Sequence, residues 1–392
     1  MRLQKIMTSI TVSLLVGSPT MAATKYAKVG GLTTGNCDTW ANACTMDRAL
    51  TVASAGDSVW AKKTTAGVPP VDTPYGPIGD LPNGVKIIGG FAGTETQASQ
   101  SNPWTKKTTV DGDGFQCVFS NGNGSSTVLR GFHFTDCRNQ DSDNWEEGGA
   151  IVLNNSDAVF VNCVFDGNSA VRFGGAVSVQ GTGSPKFFNC IFRNNGSGSA
   201  GSDKDVNVEP LAGGAIFLHS GSPSFTNCLF HGNKAAEGAV IAVTNGTPTF
   251  TNCTIANNYC KFKYGGGLHD GGGKAIVRNC ILWGNTAIEG GNQVFNFEPR
   301  ETGATYTNVQ GGYPGTGNLN SDPLFVNPSG NDYMLQSSTP CDNVGSGTMP
   351  DDIGDLDWDT ITSEPVPVDL AGVNRVVFTI DMGAYEMQPG PD

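Results

Sequence analysis

FTNCLFHGN, residues 225–233, is repeated with few changes at four other places: FVNCVFDGN at 160–168, FFNCIFRNN at 187–195, FTNCTIANN at 250–258 and VRNCILWGN at 277–285. The column of cysteines Cys137, Cys163, Cys190, Cys228, Cys253 and Cys280 has intervals of 26, 27, 38, 25 and 27 residues, and Val309 takes the same place 29 residues later. A recurring period of this length is the signature of a solenoid, in which each repeat lies on the previous one.

A glycine-rich marker precedes each cysteine, and its third residue lies 13 or 14 positions before it: GGA at 148, 174 and 213, EGA at 237 and GGG at 265. Alternating apolar residues and turns follow, so one period has room for three short strands and none for a helix. A parallel solenoid needs such a period, because successive coils stack at about 4.8 Å. The sequence therefore predicts an all-β parallel β-helix.

Residues that recur in every coil are expected to meet their own copies. Phe and Cys are expected to form buried columns, with the cysteines as free thiols, because stacked side chains do not offer the twist of about 90° that a disulfide needs. A ladder of side-chain amides, each bonding the next, is expected from Asn162, Asn189, Asn227, Asn252 and Asn279. Metal binding by the cysteine column is the alternative, and neither a CxxC pair nor a histidine column supports it. Outside the column, Cys37 and Cys44 are expected to form a disulfide.

The composition fits such a fold. Gly supplies 54 of 392 residues and charged residues only 15%, which is typical of a turn-rich β protein. Hydrophobic residues make up 38% of the chain and include 20 Phe, enough for a sizeable core. These values exclude a disordered chain.

The first residues read as a signal peptide, 1–23, with a basic start (MRLQK), an apolar run (IMTSITVSLLVG) and a small-residue end (SPTMAA). A membrane anchor is the alternative, but it needs roughly 20 apolar residues. Cleavage after Ala22 or Ala23 removes Arg2 and Lys5 from the 23 basic residues and leaves 21 against 36 acidic ones. Nucleic acid is therefore disfavoured as a partner. We expect an exported protein, in the medium, at the cell surface or in the periplasm, with no transmembrane segment in the mature chain.

Several motifs together resemble the bacterial choice-of-anchor Q domain proteins, right-handed parallel β-helices of the pectate-lyase-like class, and the repeats resemble those of polymorphic outer-membrane proteins. The motifs are DTWANACTMDRALTVASAGDSVWA at 38–61, IIGGFAGTET at 87–96, ILWGNTA at 281–287, VQGGYPGTGNLNSDPLF at 309–325 and DMGAYE at 381–386. The resemblance covers nearly the whole mature chain. It implies an exported β-helix, commonly at the cell surface and usually without an assigned reaction.

The chain departs from this family in two places. No surface-anchoring tail follows DMGAYE, so secretion or periplasmic residence is as well supported as surface display. An Asp/Gly run similar to DLDGDGD reads DLDWDT here, with Asp355, Asp357 and Asp359. Alternating carboxylates of this kind can ligate calcium. A solvated acidic loop is the alternative, because one glycine and one carboxylate are missing.

A single domain is expected after the signal peptide. An N-terminal cap and the first coils occupy 24–130, with a short helix in TMDRALTVASA (45–55) over the opening. Regular coils occupy 131–310, and a C-terminal cap occupies 311–392, where the chain after Asp322 is expected to fold over the other end.

Function on a β-helix is expected on loops that leave the coil. The insertions RNQDSDNWEE (138–147) and GSGSAGSDKDVNVEPLA (196–212) and the segment YCKFKY (259–264) leave at the same point and should meet at one edge, here called the loop edge. Its candidate binding residues are Asp141, Asp143, Trp145, Glu146, Arg172, Asp203, Lys204, Asp205, Glu209, Lys234, Glu237, Lys261, Lys263 and Tyr264, with Glu147 and Tyr259 beside them.

Aromatic rings beside carboxylates and amines suit sugars. The leading hypothesis is therefore an adhesin-like protein that binds glycans or cell-surface material at the loop edge without catalysis. A polysaccharide lyase or glycoside hydrolase at the same edge is the alternative, using paired carboxylates or a Lys or Arg base near calcium. A structural envelope protein without a ligand is the third.

The sequence does not contain a matched catalytic constellation. His133, His219 and His231 fall on different coils. His269 and Asp270 are adjacent on a strand and face opposite sides, so they do not form a pair, and a general-base role for His269 is a minor alternative. The motifs of polygalacturonases are missing, which counts against that hydrolase chemistry.

Overall fold

The computed structural model describes residues 22–64, 74–139, 147–197, 212–297, 302–376 and 379–388. The chain winds into a right-handed parallel β-helix, as predicted. Each strand of a coil pairs in parallel with the corresponding strand of the next coil. The expected signal peptide, 1–23, lies almost entirely outside the described residues.

In the described residues, four sheets run along the helix, and they are numbered here in the order in which one coil passes through them. The ten strands of sheet 1 are Thr24–Leu32, Ser58–Lys62, Lys86–Phe91, Val128–Arg130, Val159–Val161, Lys186–Phe188, Ser224–Thr226, Thr249–Thr251, Ile276–Arg278 and Gly303–Thr305. The eight strands of sheet 2 are Thr108–Asp111, Phe132–Thr135, Val164–Asp166, Ile191–Arg193, Leu229–His231, Thr254–Ala256, Ile281–Trp283 and Asn308–Val309.

Sheets 3 and 4 complete each coil. The strands of sheet 3 are Arg138–Asn139, Ser169–Ala170, Gly196–Ser197, Lys234–Ala235, Tyr259–Cys260 and Thr286–Ala287. The strands of sheet 4 are Gly79–Asp80, Val118–Asn121, Ile151–Asn154, Val177–Gln180, Ile216–Leu218, Ile241–Val243, Leu268–Asp270 and Val294–Asn296. A regular coil thus has four strands where the sequence predicted three. The two-residue strands of sheet 3 are too short to show an alternating pattern.

Two columns of phenylalanine rings fill the interior between sheets 1 and 2. Rings of Phe160, Phe187, Phe225 and Phe250 stack at 4.8, 5.0 and 4.9 Å. A second column, Phe134, Phe165, Phe192 and Phe230, stacks at 5.3, 4.6 and 4.8 Å. These spacings match the distance of about 4.8 Å between parallel strands. The predicted apolar columns are therefore confirmed.

The cysteine column is confirmed for five of its six members. Cys163, Cys190, Cys228, Cys253 and Cys280 are buried free thiols. Cys137 was assigned wrongly, because Phe134 pairs with Phe165, and this register places Cys137 beside Asn168. It is bonded to Cys117. Val309 was also misplaced, since it pairs with Leu282 and not with the cysteine position.

Asparagines form two columns, and the predicted ladder is the wrong one. Asn162, Asn189, Asn227, Asn252 and Asn279 occupy the left-handed turn between sheets 1 and 2, with φ of 51 to 53°. The ladder is formed instead by Asn168, Asn195, Asn233, Asn258 and Asn285, all buried, between sheets 2 and 3. Each Nδ2 of this series donates to the Oδ1 of the next, at 3.1, 3.0, 2.9 and 2.8 Å.

The N-terminal end carries the predicted helix, at Met46–Val52. The Thr45 side chain caps it, and Met46, Ala49 and Leu50 join the core between the first strands of sheet 1. Cys37 and Cys44 are bonded to each other just before this helix. None of the helices in the described ranges has the length and apolar character that crossing a bilayer requires.

The chain after Asp322 was predicted to fold over the far end of the coils, and this prediction is wrong. The chain returns along the side of the coils instead. The hairpin of this C-terminal segment, Phe325–Asn327 and Asp332–Leu335, packs in one cluster with Leu229 and Ile281. The segment then contributes to a second cluster with Val161 and Phe188, and returns to the first cluster near its end. The reason lies in the corner asparagines, because the amides of Asn189, Asn227, Asn252 and Asn279 donate to its backbone carbonyls. The far end is occupied by residues near Thr316 and Leu319, which pair with the last coil.

Candidate functional site

The segments that leave the coil after sheet 3 re-enter it in one column. Backbone bridges join Glu147 to Phe173, Phe173 to Ala212 and Ala212 to Glu237, and Tyr264 is joined to Gly290. Each of these residues precedes a glycine with positive φ, such as Gly148 (62°) or Gly213 (73°). A Cβ at Gly213 would overlap the carbonyl of Ile216, so only glycine fits this turn.

The outward residues of sheet 4 form a row beside this column. The paired registers place Val152, Ser178, Phe217, Ala242, His269 and Phe295 in it. The residues before and after each of them point into the core, as strand alternation requires. We call the column and the row together the sheet 4 face.

Glu147 is the centre of the first polar cluster on the sheet 4 face. Its side chain is fully buried, and Oε2 lies 2.8 Å from Ser178 Oγ, 3.0 Å from Gln180 Nε2 and 2.5 Å from His219 Nε2. Oε1 is buried without a hydrogen-bond partner. Residues from three coils thus converge on one carboxylate.

Apolar rings separate this cluster from the next one. Phe173 stacks on Phe217 at 4.3 Å, and Ala212 and Ala242 pack beside them. The His219 ring meets Phe217 edge-on at 4.5 Å. The histidine is therefore held by a ring on one side and by the Glu147 carboxylate on another.

The second cluster combines an ion pair with three stacked rings. Lys263 Nζ lies 2.5 Å from Glu237 Oε1. The Tyr264 ring stacks on Phe295 at 4.1 Å, and the His269 ring lies parallel to Phe295 at 5.3 Å. Tyr264, His269 and Phe295 are all half-buried, so their edges and faces reach the surface. Burial lowers the pKa of His269, and the nearby Glu237 and Asp270 carboxylates oppose that shift.

The structure places part of the predicted loop edge. Glu237, Lys263 and Tyr264 lie together in the second cluster. Arg172 lies with its guanidinium 5.4 Å from the Phe173 ring, Lys234 is exposed on a strand of sheet 3, and Lys261 lies 5.2 Å from the Phe262 ring. The remaining candidates, Asp141, Asp143, Trp145, Glu146, Asp203, Lys204, Asp205 and Glu209, lie outside the described residues.

Sequence reasoning missed the parts of the face that sheet 4 supplies. Ser178 and His219 contact Glu147, and Phe295 contacts Tyr264. His269 contacts Phe295, its neighbour in the row. Nothing in the sequence indicated that His219 would reach Glu147 from another coil, and His269 was passed over because it does not pair with Asp270.

A signal was present in the glycine marker. The residue four positions after the left-handed glycine of a marker lies in the row, as Ser178 follows Gly174, Phe217 follows Gly213 and His269 follows Gly265. Phe295 follows Gly291, another left-handed glycine, in the same way. The marker EGA had been aligned one residue early, because Gly238 and not Glu237 matches Gly213.

Glu147 and Glu237, the carboxylates in the described part of the sheet 4 face, are far apart. Glu147 and Glu237 are separated by three coil steps in the column, which is about 14 Å along the axis. Paired glycosidase carboxylates lie roughly 5 to 9.5 Å apart. These two residues therefore do not form the hydrolytic pair that the alternative hypothesis requires.

The predicted calcium ligands lie on the C-terminal segment, away from the sheet 4 face. Asp355, Asp357 and Asp359 each offer a carboxylate oxygen within 4.8 Å of the others. Each also accepts a hydrogen bond from a nearby backbone N–H, of Thr360, Asp359 and Ile361 in turn. These bonds are those of a tight acidic loop.

Comparisons with known proteins give similarity at the level of structure. No protein-family model matches the chain, and no curated protein matches its sequence. Among solved structures, a chain described as "Crystal structure of pectate lyase Pel9A" is similar, with a TM-score of 0.42 and 12% sequence identity. The match covers 94% of this chain and 97% of that chain.

Proposed function

We propose that this protein is an exported bacterial β-helix that binds glycans on the sheet 4 face without catalysing a reaction. The observation that carries the proposal is the stack of Tyr264, Phe295 and His269 beside the Glu237–Lys263 ion pair. Half-exposed rings offer a surface for the C–H face of a sugar. The adjacent carboxylate and ammonium groups can bond the hydroxyls at its rim.

The charge of the chain favours a neutral glycan. The protein has 36 acidic against 23 basic residues, so a polyanionic chain would be repelled at long range. At the second cluster, the Lys263 ammonium already pairs with Glu237. A neutral polysaccharide needs no further cation there.

Membership of the choice-of-anchor Q type, and with it export, belongs to the same proposal. The motif DMGAYE supports it, because Asp381 and Glu386 surround the fully buried Arg375 that holds the end of the C-terminal segment. A motif whose charged residues form a buried ionic cluster is expected in every domain of this type, because the fold depends on that cluster. Fractionation of cells that express the full chain, followed by N-terminal sequencing, tests export and cleavage.

Binding is tested by native affinity electrophoresis of the purified protein in gels that contain single polysaccharides. We expect retardation by at least one neutral polysaccharide, and a loss of at least tenfold in affinity for Tyr264→Ala and for Phe295→Ala. Trp104→Ala is the matched control, because Trp104 is an aromatic residue 42% exposed in the loop that packs over the corner of sheets 1 and 2. Equal retardation of all four proteins would overturn the assignment of the site.

Catalysis at the first cluster is a second candidate, favoured by one contact. Glu147 Oε2 holds His219 Nε2 at 2.5 Å, an arrangement that orients a histidine as a general base. A degradation assay against neutral and uronate polysaccharides, with and without calcium, tests it. New reducing ends or unsaturated ends that vanish in His219→Ala would establish catalysis, and absence of product from a polysaccharide that is bound would favour a binding protein.

A further inference from the structure

The C-terminal segment carries a group of carboxylates that the coils and the sheet 4 face do not use. Asp352, Asp357 and Glu364 each offer one oxygen, and the three oxygens lie within 4.8 Å of one another. The backbone brings them together, because the Asp352 N–H donates to the Glu364 carbonyl at 2.7 Å beside an antiparallel bridge from Asp351 to Pro365.

Asp352 is the residue that points to a ligand. Its side chain is 0% exposed, Oδ2 accepts the Leu356 N–H at 2.7 Å, and Oδ1 is buried with no hydrogen-bond partner. Glu364 Oε1 is also a buried atom with no hydrogen-bond partner, although the Glu364 residue as a whole is half-buried. Buried carboxylate oxygens without partners are unfavourable unless a cation satisfies them.

We propose that Asp352, Asp357 and Glu364 bind a calcium ion. Oxygens on opposite sides of one calcium ion lie up to about 5 Å apart, so three oxygens within 4.8 Å of one another can bind the same ion. Calcium also accepts several carboxylates in a flexible geometry, whereas magnesium demands a near-ideal octahedron and usually keeps several waters. A ligand set made only of carboxylate oxygens does not favour zinc, which prefers nitrogen and sulfur.

This ligand set differs from the one that the sequence suggested. In the set Asp355, Asp357 and Asp359, backbone N–H groups already bond each carboxylate, and Asp359 is exposed. In the proposed set, Asp352 and Glu364 keep an oxygen that no hydrogen bond uses. Asp357 belongs to both sets, so substitutions at Asp352 and Asp359 distinguish them.

The ion would fasten the C-terminal segment to the coils. Arg130, on sheet 1, donates to the carbonyls of Gly354, Asp355 and Leu356 at 3.1, 2.7 and 3.1 Å. Its guanidinium lies 3.7 Å from the centre of the Trp358 ring. Calcium bound between the loop at 352–358 and Glu364 would close the base of the loop that makes these contacts. The site does not depend on the proposed glycan binding.

Terbium luminescence tests the site, because Trp358 follows Asp357 directly and can sensitise a bound Tb³⁺ ion. With the full chain after chelation, we expect a saturable signal that excess Ca²⁺ displaces, and a Ca²⁺-dependent rise in unfolding temperature. Asp352→Asn and Glu364→Gln should each weaken Tb³⁺ binding at least tenfold. Asp359→Asn should change it less than twofold.

Two controls keep the outcome interpretable. Trp358→Phe should abolish the luminescence and keep Ca²⁺ binding by calorimetry, which assigns the sensitiser. Glu364→Gln keeps the fold even where Asp352→Asn does not, because Glu364 is only half-buried. No saturable Tb³⁺ or Ca²⁺ binding, or a loss in Asp359→Asn as large as that in Glu364→Gln, would overturn the proposal.

Discussion

The two asparagine columns share a residue type and a period, but they have different environments. Asn233, in the ladder between sheets 2 and 3, is fully buried and bonds the asparagines of both neighbouring coils. Asn227, at the corner of sheets 1 and 2, adopts a left-handed turn and donates to the carbonyl of Val368 in the C-terminal segment. The ladder holds one coil on the next, whereas the corner column holds a separate piece of chain.

The corner of sheets 1 and 2 and the sheet 4 face also differ in what covers them. The corner of sheets 1 and 2 is covered by the C-terminal segment along much of its length, through Val161, Phe188 and Leu229. The described part of the sheet 4 face is instead occupied by rings and charges that contact one another, such as Tyr264 and Phe295. A ligand is therefore expected on the sheet 4 face.

The largest effect is expected from the buried arginine of the C-terminal segment. Arg375 is fully buried, donates to the Asp381 carbonyl at 2.7 Å and lies 3.6 Å from Glu386. Arg375→Ala leaves buried carboxylates unpaired, which costs about 3 to 5 kcal/mol. Limited proteolysis should cut this variant after residue 322 and spare the coils.

Arg278→Ala is the control for that variant, because Arg278 is an exposed arginine on sheet 1. Its stability should change by less than about 0.5 kcal/mol. If Arg375→Ala unfolded the coils and the segment together, the two regions would be one cooperative unit and the comparison would fail.

A smaller difference is expected between the two asparagine columns. Asn233→Ala removes bonds to Asn195, Asn258 and the Phe192 carbonyl and leaves buried groups unsatisfied, which costs about 3 kcal/mol. Asn227→Gly keeps the left-handed turn and loses one hydrogen bond, which costs about 1 kcal/mol. Urea unfolding measures both changes. Equal losses would mean that the corner column also holds the coils together.

The pH dependence should separate the regions further. The pKa of Asp381 is raised to about 6, mainly by burial and also by the nearby Asp342 charge. The Arg375 charge opposes this shift. Because an unfolded Asp titrates near about 3.9, the folded C-terminal segment takes up this proton first and gains stability as pH falls from 7 towards 5.

Glu95, near the N-terminal coils, changes stability in the opposite direction, because its contribution is lost as the pH falls. Burial alone would raise its pKa, but Lys106 and backbone N–H groups of 92–94 lower it to about 2. Its contribution is complete above its unfolded pKa of about 4.3 and is lost as pH falls through about 2. Hydrogen exchange measured by region against pH should show both effects, the gain in the C-terminal segment and the loss near Glu95. Asp381→Asn should remove the first effect and Glu95→Gln the second. A single shared profile in all regions would contradict this assignment.

The smallest effect is expected from thiol reagents. Cys163, Cys190, Cys228, Cys253 and Cys280 are buried, and burial raises the pKa of Cys190, Cys228, Cys253 and Cys280. The native protein should therefore react negligibly with a maleimide, and the unfolded, unreduced protein should show seven free thiols. A count of nine would mean that one of the disulfides, such as Cys117–Cys137, is absent.

The sequence predicts the coils well, because stacked residues must repeat. It fails where one short pattern fits two positions: FTDC at 134–137 resembles the cysteine stretch, yet Phe134 aligns with Phe165. It also fails for contacts between distant segments. Nothing in the repeats shows that Asn227 would meet Val368, or that Glu147 would meet His219 from another coil. Half of the site could be predicted from the loops, and the other half required the register of sheet 4.

Hydrogen exchange of the full protein with and without a retained neutral polysaccharide tests the central claim most directly. We predict protection of peptides that contain Tyr264, His269 and Phe295, and no change in peptides of the C-terminal segment between residues 365 and 387. Protection confined to the C-terminal segment, or no retention by any neutral polysaccharide, would contradict the account.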